Sequence, residues 1–205
     1  LGIVGLRLVM ELRGRSCLDL EQCPPAKQSL TCSRSFGEPI TTLEEMEEAI
    51  SVYTTRVAAK LRHERLTAAA VTVFLTTNTF KQGPQYSNAL TSKLTIATDA
   101  TPELIRAAIQ GIRQIYRAGY HYKKAGVLLT GLVPVSQVQQ DLFTAVDRGR
   151  TTRLMKVLDA VNDRWGSGTL QYASSGIIKS WTAKFLRRSP AYTTRWSDLP
   201  TVYAS

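Results

Sequence analysis

Residues 29 to 36, SLTCSRSF, alternate less polar and polar positions, with Leu30 and Cys32 on one side and Thr31, Ser33 and Ser35 on the other. A period of two predicts a half-buried strand. At Thr42 the period lengthens: Met46, Ile50, Tyr53, Val57 and Leu61 recur at helical spacing as far as about Arg62. Thr42 and Glu45 have capping-box spacing, and Glu44, Glu45, Glu47 and Glu48 at the start with Lys60, Arg62 and His63 at the end complement the helix dipole. Residues 69 to 77, AAVTVFLTT, return to strand periodicity, with Val71, Val73 and Leu75 facing one way and Thr72, Phe74 and Thr76 the other. Residues 90 to 97, LTSKLTIA, predict a third strand, with Leu94 and Ile96 inward and Thr91, Lys93 and Thr95 outward. TPEL opens a second helix with Thr101 as its cap and Pro102 in its first turn. Its buried stripe is Leu104, Ile105, Ala108, Ile109, Ile112, Ile115 and Tyr116, and Gly119 is placed to end it. A fourth strand is predicted over 123 to 132, KKAGVLLTGL.

Strand, helix, two strands, helix, strand over residues 29–135 predicts an α+β domain of the ferredoxin-like split βαβ type, a four-stranded sheet with two helices on one face. Val71, Val73, Leu75, Leu94, Ile96, Val127 and Leu129 make the core beneath the helices. The opposite face carries Thr31, Ser33, Thr72, Phe74, Thr91, Lys93, Thr95 and Lys124, and no predicted element covers it. Residues 1–15, apolar at Ile3, Leu6, Val9, Met10 and Leu12, read as the end of a helix stopped at Gly14. Residues 16–28, with Pro24 and Pro25, read as a linker. Residues 137–143, QVQQDLF, are too polar for a buried strand, yet end on the apolar pair Leu142 and Phe143. Beyond them, 147–205 reads as a small α+β extension. It has a basic amphipathic helix from about Arg150 to Trp165, ended by Gly166 and Gly168, and a short strand in TLQYAS. A tail follows in which Trp181, Phe185, Tyr192 and Trp196 alternate with Lys184, Arg187, Arg188 and Arg195.

Charge narrows the partners. The net charge is +10 over 205 residues, shared equally between 26–135 and 136–205. Such a balance favours polyanions, nucleic acid first and an anionic membrane surface second. No apolar run approaches the roughly 20 residues that span a bilayer, and no secretory signal precedes the first helix, so a cytoplasmic, nucleoid-associated protein without a membrane partner is expected. Cys17, Cys23 and Cys32 lack metal-site spacing and read as free thiols. His63 and His121 stand in no motif. The glutamates at 44–48 are explained by helix capping, and no nucleophile elbow or phosphate-binding glycine loop occurs, so the chain is expected to bind rather than catalyse. The open sheet face and its rim supply the candidate nucleic-acid contacts: Ser33, Arg34, Ser35, Thr72, Lys81, Thr91, Lys93, Thr95, Lys123 and Lys124. Hydroxyls and lysines suit phosphate and sugar. RNA recognition on such a layout needs aromatics on the central strands, and only Phe74 qualifies.

CSRSFGEPIT, YTTRVAAKLR, AGYHYKKAGVLL, QQDLF, GTLQYASSGI and SPAYTTRWSDL, in this order, resemble the C-terminal part of the UmuC-type Y-family translesion DNA polymerases of the SOS response, from about Leu6 to Leu199. The resemblance implies that 29–135 is a little finger domain whose sheet lies along the major groove of template-primer duplex DNA, that 1–15 ends the thumb, and that 147–205 is a UmuC-type extension. It implies that 136–146 is a clamp-binding linker: in QQDLF, Gln139, Gln140 and Asp141 form the polar part and Leu142 and Phe143 enter a pocket on the β sliding clamp. Gln140 stands where the family often has Leu, a departure that weakens docking. Further implied partners are the UmuD′ dimer and the RecA filament. The palm with its two magnesium ions would precede Leu1, so no cofactor is expected in this chain. Two alternatives stay open, an adaptor with little DNA contact and a stand-alone RNA-binding module.

Overall fold

Apolar positions three and four apart coil Gly2–Leu12 into α1, which ends where Gly14 takes a left-handed φ of +75. No residue of α1 is buried. The structure, a computed structural model, describes residues 2–18, 25–138, 148–183 and 189–202. The next elements follow the predicted order: β1 (Ser29–Ile40), α2 (Leu43–His63), β2 (Leu66–Thr77), β3 (Ser87–Thr98), α3 (Thr101–Ile115) and β4 (Tyr122–Pro134). They form one antiparallel four-stranded sheet in the order β1-β4-β2-β3. Each helix links two parallel strands separated by a third, so both βαβ units are split and α2 and α3 share one face.

The core lies between that face and the helices. Met46, Ile50, Tyr53, Val57 and Leu61 of α2 and Leu104, Ala108 and Ile112 of α3 meet Val71, Val73, Leu75, Val127 and Leu129, all buried. Leu94 packs only at its margin and Ile96 is half-buried, because the β2–β3 register slips between Ala68 and Ala70 and β3 runs out of line there. At the start of α2, Thr42 Oγ1 accepts the Glu45 N–H at 3.3 Å. The next carboxylates are spent structurally, Glu47 on Arg113 at 2.6 and 3.0 Å and Glu45 on the Ser180 hydroxyl at 2.7 Å.

Three predicted details are corrected. Thr101 is not a cap: Ala100 precedes α3 without a side-chain bond, while Thr101 is buried and its hydroxyl accepts Arg62 Nη1 at 2.8 Å. Gly119 does not end α3, which stops at Ile115. Tyr116 leaves the helix to donate its hydroxyl to the Thr41 carbonyl at 2.6 Å and to lie 5.4 Å from Tyr122. TLQYAS is not a strand, and no strand occurs beyond β4 among the described residues.

The extension packs on the outer side of the helix layer. Among its described residues are α4 (Arg148–Trp165), a short 3-10 turn at Ala173–Ser175 and another at Trp196–Asp198. Arg62 grips Asp159 of α4 through Nε and Nη2, both at 2.6 Å, and also donates Nη1 to the Asp99 carbonyl at 2.9 Å. Trp181 enters the core edge-on to Phe36 and Tyr53, with ring centroids at 6.0 and 5.9 Å, and its carbonyl accepts the Gly37 N–H at 3.0 Å. A cleft of about 950 Å³ remains between α2 and α4, lined by Arg56, Arg65 and Lys156 among others.

Burial pushes the Asp99 carboxyl above the ordinary aspartate range, with Arg62 opposing the rise. The folded chain therefore holds this proton more tightly than the unfolded chain. That contribution to stability is fully present below the ordinary pKa of about 3.9 and is lost as pH rises through the raised folded value. Asp99→Asn is expected to raise the melting temperature at pH 7, with the advantage shrinking towards pH 3. A difference that stays constant across paired melts at several pH values would show that ionisation of Asp99 is irrelevant.

Candidate nucleic-acid interface

The register of the sheet turns its open face into four rows. Ser35, Lys124, Thr76 and Ser87 lie side by side across β1, β4, β2 and β3, then Ser33, Gly126, Phe74 and Ala89. Thr31, Leu128, Thr72 and Thr91 follow, and last Ser29, Thr130, Ala70 and Lys93. Hydroxyls dominate and no position holds an acid. Thr72 and Thr91 share a hydrogen bond at 2.8 Å, which fixes two neighbouring hydroxyls across the strands. Lys124, in the first row on the inner strand β4, and Lys93, in the last row on the edge strand β3, are both exposed, roughly 20 Å apart from three row spacings along the strands and two strand spacings across them.

In the second row a close approach requires glycine. A Cβ on residue 126 would meet the Phe74 ring at 2.5 Å and the Ser33 Cβ at 2.4 Å. Phe74 therefore spreads over the neighbouring strand instead of standing out to stack on a base, and it is half-buried.

The predicted contacts divide. Ser33, Ser35, Thr72, Thr91, Lys93 and Lys124 are together on the lattice. Thr95 is exposed in the out-of-register end of β3. Arg34 is exposed on the edge strand but shares the alternation of Cys32 and Phe36, so it stands at the rim on the helix side. Lys123 is not on the face: it falls in the irregularity where Ser35 pairs with Lys124 and Ile40 with Tyr122, and its ammonium donates to the Phe36 carbonyl. Lys81 is exposed in the β2–β3 loop. Gln85 knits that loop by donating to the Asn78 and Lys81 carbonyls at 3.0 and 2.8 Å.

The same loop carries a residue that patterning overlooked, Phe80, 97% exposed beside Lys81. Its sequence signal is an aromatic inside NTFKQGPQ, a stretch with no apolar period to bury it. Gln139, Gln140, Asp141, Leu142 and Phe143 lie outside the described residues. The chain before them is anchored by the Val135 N–H, which donates to the Arg65 carbonyl at 3.1 Å. Cys32 is buried and Cys17 half-buried, both as free thiols. His63 ends α2 and His121 is exposed. Among the described residues no group of three or more His, Cys, Asp or Glu is placed to hold a metal ion, and no helix is long and apolar enough to cross a membrane.

Comparison with known proteins gives the family. Residues 27–142 match the impB/mucB/samB family C-terminal domain, and residues 152–202 match a domain of unknown function, DUF4113. Protein SamB and Protein ImpB of Salmonella typhimurium are 43% and 42% identical over 95% of this chain and 46% of theirs. Protein UmuC of Salmonella typhimurium is 41% identical over 94% of this chain and 46% of its own. The chain thus spans about half the length of the curated relatives it matches. Among solved structures, it is similar to a complex of beta-clamp processivity factor and little finger domain of PolIV, at TM-score 0.36 and 21% identity over 58% of this chain and 99% of that one. An insertion ternary complex of Dbh DNA polymerase matches at TM-score 0.40 and 9% identity over 64% and 36%. The family match takes in more than half of the residues, and the chain therefore belongs to the impB/mucB/samB family, carrying its C-terminal domain.

Proposed function

We propose that this chain is the duplex-binding and clamp-docking part of an error-prone Y-family translesion DNA polymerase of the SOS response, and that it binds DNA through the open face of its sheet. The observation that carries the reading is the acid-free lattice of hydroxyls with one lysine in its first row and another in its last. Phosphates flanking a major groove about 12 Å wide can meet the lysines while the hydroxyls take phosphate and sugar oxygens between them. Phe74, lying over Gly126, offers no free ring for base stacking, which disfavours an RNA-binding module. Nucleotidyl transfer, and the magnesium it needs, belong to a palm outside this chain in the same reading. UmuD′ and RecA, as partners, rest on family resemblance.

Lys93→Glu with Lys124→Glu is expected to flatten the salt dependence of duplex binding by about two in log–log slope, roughly 0.9 for each phosphate left without its lysine, with little change in sequence preference. The rim substitution Arg34→Glu should flatten it further, and Arg106→Glu, exposed on α3 across the domain, should leave it unchanged. Titrations of a labelled duplex at several salt concentrations decide this, and an unaltered slope in the double variant removes the sheet-face model.

For the clamp, Leu142→Ala with Phe143→Ala is expected to lower affinity for the β sliding clamp at least about tenfold, because a few apolar anchors carry most of such an interface. The melting temperature should hold. A sharp fall in melting temperature with no detectable clamp binding would instead show the pair packing on its own domain.

A further inference from the structure

The outward face of α4 is not used by the sheet, the core or the cleft. Met155 is the buried residue of this helix; read at 3.6 residues per turn, Arg153, Arg164, Val157 and Arg150 fall opposite it, and Val161, Leu154 and Trp165 follow round one flank. Leu154, Val157 and Trp165 remain 57%, 59% and 61% exposed. The acids of α4 are turned the other way: Asp159 is held by Arg62, and Asp163 lines the cleft towards α2. The outward stripe is therefore apolar along one flank, with Val161, Leu154 and Trp165, and positive beside it, with Arg150, Arg153 and Arg164 bordering Val157. Among the described residues neither Arg153 nor Arg164 is in an ion pair, and the Arg164 guanidinium lies 4.8 Å over the Trp165 ring.

We infer that this stripe docks an acidic amphipathic helix of a partner protein. A helix covered only by water would spread both signs of charge over its outer face and would not align large apolar side chains. Phosphate would satisfy the arginines but leave Leu154 and Val157 without an apolar partner, so a nucleic acid fits half of the stripe. A helix with leucines on one face and glutamates beside them satisfies both halves, and Trp and Arg are the residues that dominate such contacts. From Leu154 to Trp165 the ridge runs about 16 Å, three turns of a partner helix. Because α4 packs on the helix layer, its outer face points away from the sheet lattice, and a duplex on the lattice leaves the stripe open.

The test uses the whole chain and a labelled synthetic peptide of about 20 residues, leucines on one helical face and glutamates beside them. A peptide of the same composition with its leucines scrambled, and a single-stranded oligonucleotide, serve as competitors. The ordered peptide is expected to bind at least about tenfold more tightly than the scrambled one. Leu154→Ala with Val157→Ala, and separately Arg153→Glu with Arg164→Glu, should each lose at least about tenfold while melting temperature and duplex binding hold. Equal binding of both peptides, preference for the oligonucleotide, or self-association of the chain abolished by the same substitutions would overturn the inference. The duplex titration on these variants keeps its failure distinct from failure of the DNA reading.

Discussion

Replacing Trp181 by alanine is expected to destabilise the chain by about 3 to 5 kcal/mol, the range for emptying a buried large aromatic site. The indole is 5% exposed and fills the space between Phe36 and Tyr53, edge-on to both. Nothing local can collapse into the hole: Phe36 is fixed by the irregular end of β1, and Tyr53 by the middle of α2. Among the described residues, neither the Trp181 Nε1–H nor the Tyr53 hydroxyl has a hydrogen-bond partner. The contact is therefore apolar in character, and burial holds the Tyr53 phenol well above its usual pKa. Trp181→Phe, which keeps a ring and removes the orphan donor, should cost less than about 1.5 kcal/mol as a near-conservative core change. Denaturant midpoints measure the difference, and limited proteolysis gives its location. In Trp181→Ala, residues 148–183 should become cleavable while 29–134 still resist. Equal losses for the phenylalanine and alanine variants would mean that the indole nitrogen, not the ring, holds the extension.

The second large effect is expected at Arg62. Its side chain is 9% exposed, and its guanidinium bonds Asp159 through two nitrogens and gives its third to the Asp99 carbonyl and the Thr101 hydroxyl. Arg62→Met strands all three acceptors. Breaking a buried pair by removing one partner costs about 3 to 5 kcal/mol, and the lower end is expected here because Asp159 is 26% exposed and can partly rehydrate. Arg62→Met combined with Asp159→Leu should recover much of the loss, since two apolar side chains leave no uncompensated charge. Strict additivity of the two substitutions in a double-mutant cycle would show that the pair is incidental to the docking of α4.

The sheet and its two helices were legible because their signals are local. Val71, Val73 and Leu75 repeat at two, Met46, Ile50, Tyr53, Val57 and Leu61 near 3.6, and the rows of the open face follow once the strands are named. What was missed depends on residues far apart in the chain. Thr101 looks like a cap until Arg62, 39 residues away, takes its hydroxyl. Lys123 reads with Lys124 as part of the rim of the open face because no local signal announces the irregularity that follows Ser35. The extension was the least legible. Its anchors, Asp159 on Arg62 and Trp181 against Phe36, join segments that patterning had no reason to bring together. Trp181 and Trp196 look alike in the tail, yet one is in the core and the other is 89% exposed. Of the candidate contacts, Ser33, Ser35, Thr72 and Thr91 stand on the face that their alternation assigned, while Thr95 and Lys123 fall in irregularities that only the register reveals.

The strand order leaves β1 and β3 as the two borders of the sheet, and borders with unpaired amides can recruit strands from other molecules into aggregates. β1 is interrupted by Pro39, which has no amide proton to offer, and by Trp181, whose carbonyl takes the Gly37 amide. Among the described residues β3 has no such cover along Ser87–Thr98, and its defences are the slipped register and the charge of Lys93. Lys93 thus also keeps a twelve-residue strand from templating its own kind. If the sheet face binds duplex as proposed, truncating it to alanine would mix weakened binding with clumping of the protein, whereas a glutamate keeps a charge on the border and isolates the first effect from the second.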